Sequence, residues 1–279
     1  MSERILLCTD LDRTLLPNGL QPESPRARER FATLAQHSEV TLAYVTGRHR
    51  ELVLAAMEEY ALPVPDFVVG DVGTTIYAIE EKGWRVWLSW LEDIGADWAH
   101  HNSEELSRLF ADLNVLRLQE PEKQNLYKLS YYTAPDFERE AVLTLMRQRL
   151  QQERVRANLI WSLDETSGTG LLDVLPERAS KRHAIEFLMA HQGLTRDRVV
   201  FCGDSGNDLQ VLVSPIPGVL VANATAEVRA QAEEEATRTG NRDALYLAHG
   251  GFRDMNGNYS AGILEGLAHF IPDSADWWD

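Results

Sequence analysis

Ile5-Leu6-Leu7-Cys8-Thr9-Asp10-Leu11-Asp12-Arg13-Thr14-Leu15 begins as an apolar run and ends in two carboxylates two residues apart, where a strand should finish. Strand side chains alternate faces, so Asp10 and Asp12 point the same way only while the chain stays extended. Thr14, Pro17, Asn18 and Gly19 say that it soon turns. At the carboxyl end of a parallel strand two neighbouring carboxylates repel, and a cation or a shared proton must relieve that repulsion. A divalent metal is the economical solution. It leaves one carboxylate ionised and nucleophilic while its neighbour is held partly protonated for acid and base work. The stretch also reads as an acidic turn after a buried strand, and it does not choose which aspartate is the nucleophile.

The same arrangement, a β-forming run with a polar exit, recurs along the chain. Val40-Thr41-Leu42-Ala43-Tyr44-Val45 runs into Thr46-Gly47-Arg48, where a hydroxyl and a glycine N–H can hold an anionic oxygen as a helix over about 48–60 starts. Taken alone, Thr-Gly-Arg serves equally as an ordinary turn and cap. Before it, Pro22-Glu23-Ser24-Pro25 reads as a helix start with Ser24 as N-cap and Pro25 at the first helical position. Asp66 to Gly70 is a third strand, followed by a turn into a small hairpin arm through Ile76. Further on, Lys181 falls in the first turn of a helix, where a cation opposes the dipole and needs something negative to hold. Arg198 to Cys202 is a strand ending in Gly203-Asp204-Ser205-Gly206-Asn207-Asp208, an oxygen-rich turn suited to Mg2+ and lacking the thiolate or imidazole that Zn2+ prefers. Gly218 to Ala224 is a fifth strand with a polar exit at Asn223, and helices over about 226–238 and 261–270 follow. Alternating strands and helices predict an α/β fold: a doubly wound, Rossmann-like parallel sheet with its site across the carboxyl edge.

Between about 83 and 175 the rhythm changes. Helical stretches around 103–113 and 136–153 alternate with strand-like Leu126 to Thr133 and Leu171 to Leu175, and five of the seven tryptophans lie there. We expect an inserted α+β domain over 83–175, with residues 1–82 and 176–279 forming the sheet domain.

Composition narrows the partners. The 279 residues are 44% hydrophobic and 25% charged, ordinary for a globular protein, with no apolar run near the roughly 20 residues of a membrane span. The amino terminus lacks a basic region followed by an apolar one, so a cytoplasmic protein without a membrane partner is expected. A formal charge of −16 argues against nucleic acid. Cys8 and Cys202, each two residues before an aspartate, are expected to be buried free thiols at equivalent positions of neighbouring strands.

Taken in order, Asp10-Leu11-Asp12-Arg13-Thr14, Thr46-Gly47-Arg48, Lys181 and Gly203-Asp204-Ser205-Gly206-Asn207-Asp208 resemble the haloacid-dehalogenase-like (HAD) phosphatases. The insertion resembles their class with a large α+β (C2-type) cap after the third strand. Within it, Ala43 to Arg48, Val72-Gly73-Thr74-Thr75-Ile76-Tyr77, Tyr127-Lys128-Leu129-Ser130-Tyr131 and Gly262 to Phe270 resemble the sucrose-phosphate phosphatases. The resemblance implies an Mg2+-dependent phosphatase for a sugar phosphate, sucrose 6-phosphate first, acting through an aspartyl phosphate. Asp10 would be the nucleophile and Asp12 the acid and base. Thr46, Gly47, Lys181 and Asn207 would hold the phosphoryl group. Asp10, the Asp12 carbonyl, Asp204 and Asp208 would hold the metal. Lys128, Tyr131 and Arg48 would touch the sugar. Alternatives are a phosphatase for a glucosylglycerol- or mannosyl-type phosphate, a generalist, a phosphomutase, or a noncatalytic partner of a sucrose-synthesising glycosyltransferase.

Overall fold

Strand β1 (Ile5–Thr9) is buried at every position, as a central strand of a parallel sheet covered on both faces must be. The computed structural model describes residues 4–164 and 168–278. In chain order the further strands are β2 (Val40–Val45), β3 (Phe67–Gly70), β4 (Thr75–Glu80), β5 (Gly83–Val86), β6 (Arg117–Leu118), β7 (Leu129–Thr133), β8 (Ala157–Asp164), β9 (Thr169–Pro176), β10 (Val199–Gly203), β11 (Gly218–Leu220) and β12 (Leu245–Leu247). The helices are α1 (Ala27–Ala35), α2 (Arg50–Glu59), α3 (Leu88–Gly95), α4 (Ser103–Arg108), α5 (Arg139–Gln152), α6 (Lys181–His191), α7 (Leu209–Leu212), α8 (Ala226–Arg238) and α9 (Ser260–Phe270). No helix among the described residues is long and apolar enough to cross a membrane.

The large sheet runs β12-β11-β10-β1-β2-β3-β4-β5. Its strands from β12 to β3 are all parallel. From β1 the chain winds outward through β2 and β3 on one side and returns through β10, β11 and β12 on the other. The order therefore reverses beside β1, and at such a switch point the loops leaving the carboxyl ends diverge and open a crevice. One face is sealed by Phe31 and Leu34 of α1, Val53 of α2 and Ile263, Leu264 and Leu267 of α9, packed on Ile5, Leu7, Leu42, Tyr44 and Val200.

Two local expectations change. Helix α1 begins two residues later than the Ser24-Pro25 signal, because Arg26 turns into the left-handed region at φ 61°. The Ser24 hydroxyl accepts from Asn256 N at 2.8 Å rather than capping the helix. Cys8 and Cys202 are free and buried on adjacent strands, but the register sets Cys8 beside Phe201 and Thr9 beside Cys202. The one-residue offset sends the thiols to opposite faces of the sheet, Cys202 joining the cluster that holds Leu7.

The chain divides into two compact units. The first holds the residues up to Gly70, Tyr77–Arg85 and those from Lys181 onward; the second holds Asp71–Ile76 and Val86–Ser180. Within the second, antiparallel strands run β6-β7-β9-β8, and Trp98, Leu106, Phe110, Met146 and Leu150 pack with Leu129, Tyr131 and Leu172 from the sheet. Asp71–Ile76 goes with this unit because Trp87 N donates to Ile76 O at 2.8 Å and Asn125 Nδ2 to Thr74 Oγ1 at 2.8 Å. Besides the two cuts that bound Asp71–Ile76, the division falls at 85/86 and 180/181, where the sequence predicts joints near 82 and 176.

Candidate active site

The carboxyl ends of β1, β2 and β10 deliver the polar groups of one pocket, about 320 Å³, lined by Asp10, Asp12, Arg13, Thr46, Gly47, Arg48, Leu52, Asp204, Ser205 and Asn207. All lie in the first unit. Asp10 is placed by the sheet itself, its N–H continuing the ladder to Cys202 O at 2.9 Å. Its Oδ1 accepts from Leu11 N at 2.8 Å, and its Oδ2 lies 3.2 Å from Lys181 Nζ. The chain then leaves the extended conformation, with Thr14, Leu15 and Leu16 all donating to Leu11 O. Asp12 consequently takes different partners from Asp10: Arg48 Nε and Nη2 at 2.8 and 2.6 Å, and Asn18 Nδ2 at 2.8 Å.

The turn after β10 is organised by Asp208, whose Oδ2 accepts from Asp204 N at 3.0 Å and Ser205 N at 3.1 Å. A Cβ on Gly203 would stand 2.6 Å from that carboxylate, so only glycine permits this approach. The Asp208 Oδ1 accepts from Lys181 Nζ at 2.7 Å, and Lys181 also reaches Asn207 Oδ1 at 3.3 Å. Lys181, in the first turn of α6, thus has the anionic partners its unfavourable position required.

Asp10, Asp204 and Asp208 each offer an oxygen within 4.8 Å of the other two. One lysine does not neutralise three buried carboxylates, and burial and that imbalance together shift the pKa values. Burial pushes Asp10 up to about 7 against the pull of Lys181 and with a push from Asp208. Burial and then Asp208 raise Asp204 to about 6, opposed by Arg13. Burial works against the charge on Lys181, yet Asp10 and Asp208 hold its pKa above the ordinary lysine value. Burial also opposes ionisation of Asp12, but its bonds to Arg48 and Asn18 win and lower its pKa. For the chain by itself the pair is therefore shifted opposite to the sequence expectation: the raised carboxylate is Asp10 and the lowered one Asp12. Asp204 Oδ2 has no hydrogen-bond donor among the described residues and faces Arg13 Nε at 3.5 Å. An orphaned buried carboxylate oxygen in an all-oxygen cluster fits a hard divalent cation.

Thr46, 1% exposed, and Gly47 sit on the rim at the end of β2. Thr46 Oγ1 accepts from Arg48 N at 3.2 Å, and nothing stands within 4 Å of where a Gly47 Cβ would be.

A profile for sucrose-6F-phosphate phosphohydrolases matches residues 3–271. The chain belongs to that family. With it come the HAD fold and the activity class of a phosphoric monoester hydrolase. A protein of Nitrosococcus oceani whose name goes no further than HAD-like hydrolase is 53% identical over 279 residues, all of this chain and 75% of that one. Mannosylfructose-phosphate phosphatase of Agrobacterium fabrum is 27% identical over 266 residues, 95% of this chain and 96% of that one. The structure of a sucrose-phosphatase from Synechocystis, in complex with sucrose and phosphate, superposes with a TM-score of 0.69 at 25% identity, covering 96% of this chain and 98% of that one.

The residues expected to meet the sugar fall differently. Arg48 lines the pocket but grips Asp12. Lys128 and Tyr131 belong to the second unit. Tyr131, expected at the sugar, is packed with Leu129 in that unit's apolar core, its ring 6.4 Å from Phe110. Strand alternation places it there, since Tyr131 shares the face of Leu129 and not that of Lys128. Lys128 is 8% exposed and donates to Lys123 O at 3.0 Å. The sequence marks Thr14 and Asn18 only as turn residues and Asn223 only as a polar strand exit, and it gives none of them, nor Arg13, a partner. Thr14 Oγ1 donates to Asp204 Oδ1 at 3.3 Å across 190 residues of chain, a pairing no local pattern announces.

Proposed function

We propose that the protein is an Mg2+-dependent cytoplasmic sugar-phosphate phosphatase, with sucrose 6-phosphate as its substrate and sucrose and inorganic phosphate as products. The observation that carries the reading is the buried Asp10–Lys181–Asp208–Asp204 cluster opening on the pocket edged by Thr46 and Gly47. An Asp10 oxygen attacks phosphorus, the bond from phosphorus to the sugar oxygen breaks, and Asp12 gives that oxygen its proton. Asp12 then takes a proton from water, whose oxygen displaces Asp10 and releases phosphate. Lys181, Thr46 Oγ1, Gly47 N–H and Asn207 hold the phosphoryl oxygens during both transfers. Asp10, Asp204 and the Asp12 carbonyl would hold Mg2+, with Asp208 bound mainly to the turn and Lys181. The ion supplies charge neutralisation for the phosphoryl group when bound. In this reading the second unit is the cap and Lys128 reads the sugar.

The match to a mannosylfructose-phosphate phosphatase over nearly its whole length supports a second substrate, another disaccharide phosphate. Measuring phosphate release from a panel of mono- and disaccharide phosphates tests both. A kcat/KM at least ten times higher for sucrose 6-phosphate than for the others is expected. A preference for another sugar phosphate overturns the substrate, and return of the phosphoryl group to the sugar product without free phosphate makes the protein a mutase.

A further inference from the structure

The turn that carries Asp12 is fastened from 210 residues away. Arg13 stands in the left-handed region at φ 57°, a conformation that costs a residue with a Cβ and must be held from outside. Its N–H donates to Asn18 Oδ1 at 2.8 Å. Its carbonyl accepts from Asn223 Nδ2 at 2.6 Å, and Asn223 Oδ1 accepts from Tyr259 N at 2.8 Å. A carbonyl can only accept and a backbone N–H can only donate, so the partners fix the orientation of this carboxamide. Asn223 is 3% exposed, which makes each lost partner costly. Its backbone is itself immobilised just beyond β11, with Ala222 N donating to Gly257 O at 2.9 Å and Ala224 N to Val221 O at 3.1 Å. The far end of the turn leans on the same support: Tyr259 Oη donates to Gln21 O at 3.1 Å.

We propose that Asn223 is a positioning residue for catalysis, holding the Arg13 carbonyl so that the preceding Asp12 keeps its place over the pocket. The inference rests on the roles given above to Asp10 and Asp12. Asparagine is required because one side chain must donate to Arg13 O and accept from Tyr259 N at once. Aspartate keeps the acceptor and loses the donor, and it sets a carboxylate against a carbonyl. An Asp12 displaced by about 1 Å predicts a loss on the order of 100-fold in the chemical step. Asn223 is not among the residues that line the pocket, so it makes no contact of its own with the substrate.

The test uses the full chain, excess Mg2+, and phosphate release from sucrose 6-phosphate and from an aryl phosphate. Asn223→Asp is expected to remain folded by circular dichroism, to lose about 10- to 100-fold in kcat on both substrates, and to keep KM within about threefold. Asn223→Ala should show the same division between kcat and KM. Variants that melt earlier but keep kcat within threefold make Asn223 a purely structural residue and overturn the proposal, as does a loss confined to KM. If neither accumulates as folded protein, Asn223→Ser is read by the same two outcomes. A wild-type protein that releases no phosphate from any monoester refutes the function itself, a result separate from the comparison of variants.

Discussion

The guanidinium of Arg48 grips both carboxylate oxygens of Asp12, Nη2 on Oδ1 at 2.6 Å and Nε on Oδ2 at 2.8 Å. A planar two-toothed contact orients a carboxylate in a way that a point charge cannot. Arg48→Lys keeps the charge and loses the fork. It should lower kcat/KM about 10- to 100-fold while shifting the melting temperature little, because the Asp12 side chain is 44% exposed and such pairs contribute little to stability. Steady-state kinetics beside a melting curve checks this, and unchanged kinetics would remove Arg48 from the working site.

Asp10→Asn separates charge from shape. The amide is a poor nucleophile, so phosphate release should fall by at least about 1,000-fold. Folding should survive, since the substitution removes a carboxylate whose ionisation is opposed by burial and Asp208 still engages Lys181 at 2.7 Å. A contamination-free preparation retaining a few per cent of wild-type turnover would reassign the nucleophile.

Gly203 offers a check that replaces no ionisable group. A Cβ there would meet the Asp208 carboxylate at 2.6 Å, and that carboxylate fastens the Asp204-Ser205 turn. Gly203→Ala should displace Asp208 and loosen Lys181 with it, destabilising the fold by about 1 to 3 kcal/mol, as overpacking does. Activity should fall by more than that loss of stability accounts for. A variant as stable and active as wild type would show that the turn tolerates the displacement.

How far the site was legible in the sequence depended on what each residue's neighbours had to be. Asp10, Thr46 and Asp204 sit where a β-forming run meets a polar exit, and parallel strands bring those exits to one edge whatever their separation in sequence. Alternation set only a condition for the first pair: Asp10 and Asp12 share a face while the chain stays extended, and the turn from Leu11 onward gives them separate partners. Strand β8 (Ala157–Asp164) was not anticipated because its exposures alternate across an edge, leaving no continuous apolar run. Arg13, Thr14 and Asn223 act through contacts made across most of the chain, and nothing local distinguishes a buried asparagine that fastens a turn from one that ends a strand.

The raised carboxylates give the proposed metal binding a pH dependence. Asp204 and Asp10 rise from 3.8 to about 6 and about 7, so between those values the folded chain holds protons that the unfolded chain has released. Their contribution to stability is fully present below the unfolded value of 3.8, falls as pH climbs above it, and is gone once pH has passed the folded values of about 6 and about 7. A cation takes the place of those protons, and its affinity therefore grows with pH over the same range. Excess Mg2+ should raise the melting temperature by only a small amount at pH 5 and by several degrees more at pH 8. An equal shift at both pH values would mean that these carboxylates do not hold the ion.

Lys128 tests whether the second unit reads the sugar. Its side chain is 8% exposed, and its ammonium is bonded to a backbone carbonyl at Lys123 O, 3.0 Å away. Burying an ammonium costs desolvation, which an oxygen-rich ligand would offset. Ser130, on the same face of β7, is engaged by Asp173. Lysine is scarce here, four positions against 27 basic residues in all, so its use at a buried position is not a matter of composition. If Lys128 bonds a sugar hydroxyl, Lys128→Ala removes one charge-assisted hydrogen bond of about 1.5 to 3 kcal/mol, or roughly 10- to 150-fold in kcat/KM. That loss should appear with sucrose 6-phosphate and be nearly absent with a small aryl phosphate, which carries no sugar hydroxyl. Lys128→Gln, which can still donate, should recover part of the sugar phosphate activity. Equal losses on both substrates would place Lys128 in folding rather than recognition, and no loss on either would leave the second unit without a part in reading the sugar through this residue.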